Sequence, residues 1–195
     1  MTDTTQSAVT RTVDGREAPA PGTYVLDDVH THVGFVVRHL MIAKVKGRFT
    51  SFRGTLTVAD EPSDSRIDVT IDSASVDTRD EGRDAHLRSA DFFEAERFPT
   101  ITYQSTKVTR AGGDRWVVDG DLTIHGVTKP VRLDVTFEGG VSPDPFGNAR
   151  TGFSATGQLN REDFGLTWNA ALESGGVLVG KDVKIDIEAE LIRQQ

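Results

Sequence analysis

The sequence predicts an all-β protein of about eight or nine antiparallel strands, closed into a barrel, with one short helix inserted between strands. Three observations carry this. Apolar and polar residues alternate with period two through six separate segments, which gives each strand a core face and a wet face. Turn-forming clusters separate them: DEPSDS (60–65), RAGGDR (110–115), HGVTKP (125–130) and GGVSPDPFGN (139–148). Several of the strands are long and regular, which suits closure because a barrel has no exposed edge. A flat two-sheet sandwich is the alternative.

Taken in order, residues 1–21 are polar, threonine-rich and end in APAPG, and read as a disordered leader before a domain spanning 22–195. THVGFVVRH sets Val33, Phe35 and Val37 on one face. HLMIAKV (39–45) breaks the pattern and reads as one or two helical turns. Leu56 and Val58 alternate with threonine, and Ile67, Val69 and Ile71 alternate with polar residues. Residues 79–97 form the clearest helical segment, with Asp84 or Ser89 able to cap a start and Pro99 forcing a stop. Val131, Leu133, Val135 and Phe137 share a face, as do Phe153, Ala155 and Leu159. The last strand presents Val183, Ile185, Ile187, Ala189 and Leu191.

Composition narrows the function. A net charge of −8 argues against nucleic acid and anionic membrane as partners. The absence of cysteine excludes disulfides, thiolate metal sites and a cysteine nucleophile. No apolar run is long enough for a transmembrane helix, so stable membrane insertion is not expected. The N-terminus lacks a basic start followed by an apolar stretch, which points to the cytosol. No G-x-S-x-G, phosphate loop or H-E-x-x-H occurs, so no catalytic residue is assigned and the protein is not expected to be an enzyme. His30 and His32 could begin a metal site, but no third ligand stands at motif spacing, and none is assigned.

Many inward positions are small, such as Val33, Val37, Ala155 and Ala189. They could simply fill the core, or they could leave a narrow apolar channel for a long lipid tail. The candidate ligand-binding residues are Val33, Phe35, Val37, Phe49, Phe52, Ile101, Leu122, Leu133, Val135, Phe153 and Ala155 along the tail. Phe92, Phe93, Phe98, Phe164 and Trp168 join them as aromatic closure. His39 continues the inward register to the strand end, as a core histidine or a head-group contact. Arg161 lies in the NREDFGL turn, as a structural partner of Asp163 or a head-group contact. Arg83, Asp84 and Arg88 read as a solvated helix face or an ion-pair network above the phenylalanines, which would form a lid or plug.

GTYVLDDVHTHVGFVVRHL, SASVDTRDEGRDAHLRSADFFEAERFPTITYQST, GDLTIHGVTKPVRL and RTGFSATGQLNREDFGL together resemble the YceI-like family over roughly residues 22–192. The motif positions fall on His30, Phe35 and His39, then on Arg83, Asp84, His86, Leu87, Phe92, Phe93 and Pro99, then on Asn160, Arg161, Phe164 and Gly165. The usual tryptophan of the opening strand is Tyr24 here. The resemblance implies an extended, eight-stranded, lipocalin-like barrel that binds a polyisoprenoid or fatty-acyl lipid in its lumen, for transport, storage or sequestration. It implies no catalytic residue and no cofactor beyond the lipid. An enzyme acting on a lipophilic substrate, or a stress-related protein with a filled core, are the other readings. A homodimer fits the resemblance, with Trp116 taken as an outward aromatic residue.

Overall fold

The structure, a computed structural model, describes residues 8–171 and 176–195. Its centre is a closed eight-stranded antiparallel barrel. The first stave is split into β3 (Gly22–Leu26) and β4 (His32–His39), and the second into β5 (Ala43–Phe49) and β6 (Phe52–Val58). The third is β7 (Arg66–Asp72), extended by the two-residue β8 (Val76–Asp77). The rest are β9 (Thr100–Gly112), β10 (Arg115–Ile124), β11 (Val127–Val141), β12 (Arg150–Asn160) and β13 (Val179–Arg193). Closure comes from β13, which pairs with β12 on one side and with β3 and then β4 on the other.

The register explains the alternation. Ile187 sits opposite both Val33 and Ala155, Ala155 opposite Val135, and Val135 opposite Trp116. Residues directly opposite share a face, so these five form one inward layer across five staves. Trp116 is therefore buried and faces the lumen, not outward as a dimer contact.

Three local features differ from the sequence-based expectation. Residues 8–21 are not a disordered leader. β1 (Thr10–Val13) and β2 (Arg16–Pro19) form a hairpin whose Ala18 is 1% exposed, packed under one end of the barrel. Its two-residue turn is Asp14–Gly15, both at positive φ, the Asp-Gly pairing that suits a tight hairpin. Residues 1–7 lie outside the described residues. Second, 39–45 is no helix: Leu40 and Met41 take positive φ and turn β4 directly into β5. The alternation of AKVKGRF fits a strand, and its ladder with β4 outweighs any local helical tendency. Third, the helix is short. α1 (Glu81–Arg88) is capped by Asp80, which accepts from Arg83 N, rather than by Asp84 or Ser89.

On α1, Arg83 and Arg88 are exposed whereas Asp84 is buried, and all three side chains are hydrogen-bonded. Asp84 is 7% exposed and accepts from Thr78 N (2.9 Å) and Thr78 Oγ1 (2.5 Å). Arg83 donates to Thr78 Oγ1 and Thr78 O, and Arg88 to Ala74 O and Val76 O. These groups clamp the helix to β8, with the partners a buried carboxylate requires.

The break at 27–31 in the first stave is pinned to β12 and β13. Thr31 Oγ1 exchanges hydrogen bonds with Glu190 O (3.2 Å) and Glu190 N (3.1 Å). Arg150 joins Asp27, Asp144 (2.5 Å) and Glu190 (2.6 Å). Burial pushes the Asp27 carboxyl up, but hydrogen bonds from Arg150, His30 and Val29 N outweigh it and leave the pKa at about 2, against an ordinary 3.8. Asp144 follows the same pattern, with burial opposed by Asn148 N, Arg150 and Phe146 N, again at about 2. A carboxyl whose pKa is depressed on folding stabilises above its unfolded value and loses that contribution as pH falls through the folded one. The stability gap between wild type and Arg150→Met should therefore be widest above about pH 4 and shrink toward pH 2. Denaturant titrations across that range check it, and a pH-independent gap would contradict the assignment.

Candidate functional site

The barrel encloses an internal cavity of about 260 Å³. It runs along β13 from Val183 to Leu191, roughly 27 Å of strand and about 20 Å along the axis once barrel tilt is included. Its wall is overwhelmingly aliphatic and aromatic, drawn from every stave.

Packed side chains narrow both ends. At one end the β1–β2 hairpin inserts Ala18 and Pro19, and Tyr24, fully buried, donates from its hydroxyl to Ala20 O (2.7 Å). At the other end Phe49, Phe93 and Phe164 pack against the same core. The ring of Phe49 lies 5.7 Å from Phe35 and 5.7 Å from Phe93, edge-on to the latter.

Of the sequence-predicted ligand residues, Val33, Phe35, Ile101, Leu122, Leu133, Val135, Phe153 and Ala155 line this cavity. The others do not line it. Phe49, Phe93 and Phe164 plug its end, as noted. Val37, His39 and Phe52 are half-buried and outside the lining. Val37 keeps the inward register opposite Val183, at the very end of the cavity, and His39 lies one step beyond it. Phe92 packs sideways against Trp168 (5.4 Å) and His86 (5.1 Å), away from the lumen. Phe98 lies against His125 (4.6 Å) beside the His125–Gly126 turn, whose positive φ values join β10 to β11.

Arg161 has a structural task, though not with Asp163. It is 3% exposed and donates to the carbonyls of Gly180 (2.9 Å), Trp168 (3.0 Å), Val179 (3.4 Å) and Leu166. Burial pulls its pKa down, with Glu162 opposing.

His30 is brought near Asp27 and Glu190, an association that motif spacing does not reveal. The Arg150 guanidinium already bridges those two carboxylates, so their charge is met without a metal.

Sequence patterning also missed lumen residues. RWVVDGDLTI alternates strictly, burying Trp116, Val118 and Ile124 beside the predicted Leu122, and that alternation was the available signal. Tyr103 is another: its hydroxyl donates to Val118 O (3.2 Å) and Val131 O (3.3 Å), and burial pushes its pKa up, keeping it a neutral donor.

Comparison with known proteins agrees with this architecture. The YceI-like domain family matches residues 24–191. A UPF0312 protein of Staphylococcus aureus is 41% identical over 171 residues, covering 86% of this chain and 95% of that one. The crystal structure of BcnA from Burkholderia cenocepacia superposes with a TM-score of 0.74 at 22% identity, covering 85% of this chain and 98% of the other. A domain of Saccharophagus degradans described as polyisoprenoid binding superposes with a TM-score of 0.64 at 18% identity, over 88% and 98% of the two chains.

Proposed function

The chain belongs to the YceI-like family, and on that footing we propose that it binds a long-chain isoprenoid or similar amphiphilic lipid inside its barrel, without catalysis, to carry or sequester it. The observation that carries this reading is the lumen itself: inside the barrel, roughly 20 Å long and walled almost entirely by hydrocarbon. Each buried methylene contributes about 0.8 kcal/mol, so a partly enclosed prenyl chain offsets its ordering cost. The polyisoprenoid binding described for the Saccharophagus degradans domain supports the same ligand class. A filled core is at odds with a cavity of about 260 Å³.

Native purification followed by organic extraction and mass spectrometry tests the proposal. A stoichiometric prenyl or acyl species is expected. No extracted lipid, together with no uptake of added prenyl or acyl compounds, would sink it.

A further inference from the structure

The cavity is not uniformly apolar. Arg11, Ser65, Thr31 and Tyr103 are among its polar lining residues. Thr31 and Tyr103 spend their hydroxyls on backbone carbonyls. Ser65 Oγ accepts from Ala59 N (3.2 Å). Arg11 differs. Its Nη1 and Nη2 donate to Asp60 O (2.7 Å) and Ala59 O (2.8 Å), but its Nε is fully enclosed and, among the described residues, has no partner. An enclosed donor left unpaired is costly and rare in native proteins. Arg11 lines the cavity through its other atoms, and Nε becomes reachable from the lumen when the hairpin shifts.

Arg11 belongs to β1, in the hairpin that precedes the family match beginning at residue 24. The hairpin's strands are four residues each. Arginine side chains fasten it to its surroundings: Arg11 to the β6–β7 turn, Arg110 to Val13 O and Asp14, and Arg193 to Ala8 O and Pro21 O. Such fastenings can release without unzipping any barrel ladder.

We propose that the β1–β2 hairpin is the lid of the lumen, and that Arg11 Nε donates to an oxygen at the head of the bound amphiphile. The ligand then lies with its head under the hairpin and its tail toward Phe49 and Phe93. This rests on the lipid-binding reading above and adds an orientation and a head-group requirement. One N–H matches one acceptor oxygen, and the guanidinium charge favours an anionic one. Hydroxyl and phosphate heads share that acceptor chemistry.

The test uses the full chain and three probes of equal carbon count: farnesol, farnesyl phosphate and the saturated hydrocarbon farnesane. Equilibrium dialysis measures each affinity. Wild type should prefer either oxygen-headed probe over the hydrocarbon by roughly tenfold or more, and the alcohol-to-phosphate ratio separates neutral from anionic heads. Arg11→Met should erase that preference while still taking up hydrocarbon. Arg110→Ala loosens the same hairpin without touching Arg11 and should keep it. Exchange protection of the Ala20 amide, which donates to Val9 O (2.9 Å), reports whether the hairpin stays seated. Equal affinity of wild type for all three probes, or preference lost in both variants, would overturn the role of Arg11 while leaving lipid binding intact. Failure of every probe to bind would overturn both.

Discussion

Ala155→Phe is expected to abolish lipid uptake while the barrel still folds. Ala155 sits mid-wall, in the layer with Val33, Ile187, Val135 and Trp116. A phenyl ring there projects across a lumen wide enough for one thin chain. Displacing about one five-carbon unit of the tail forfeits roughly 4 kcal/mol at 0.8 kcal/mol per methylene, or about three orders of magnitude in affinity. The ring enters space that is open in the unliganded protein, so overpacking should cost no more than about 1–3 kcal/mol. Thermal unfolding of the unliganded variant and a titration with farnesol separate the two effects. A variant that folds and binds as tightly as wild type would place the ligand outside the lumen.

The fold class was legible because period two is a direct consequence of strand geometry, and the inward sets of β7, β11, β12 and β13 follow the written alternation. The site was legible only in part, for a physical reason. Alternation assigns a residue to a face but not to a height along the axis. Phe35 and His39 share a face, yet Phe35 lines the cavity and His39 lies past its end. Aromatic residues outside the strands were harder still. Phe92, Phe93 and Phe98 are close in sequence, yet one packs sideways, one plugs the barrel and one covers a turn. Their destinations depend on the irregular path after α1, for which period-two reasoning has no rule. The hairpin at 10–19 had a readable signal in Asp14–Gly15, but it stood inside a stretch whose polar composition suggested disorder.

Arg161→Met should lower stability by about 3–5 kcal/mol, or roughly 6–20 °C in Tm for a chain of this size. The arginine joins the 161–168 turn to the first residues of β13, the stave that closes the barrel. Methionine replaces its hydrophobic stem and leaves the carbonyls of Leu166, Trp168, Val179 and Gly180 without their donor. Each enclosed acceptor costs about 1–3 kcal/mol, so even if water rescues half of them the loss is large. Arg161→Lys keeps the charge but concentrates its donors on one nitrogen, and should recover less than half of the loss. The decisive readout is the head-group preference of the folded fraction. Arg161 is absent from the cavity wall, so that preference should survive in Arg161→Met and vanish in Arg11→Met. Unchanged stability combined with a lost preference would return Arg161 to the head-group role its turn suggests, and would remove the case for Arg11.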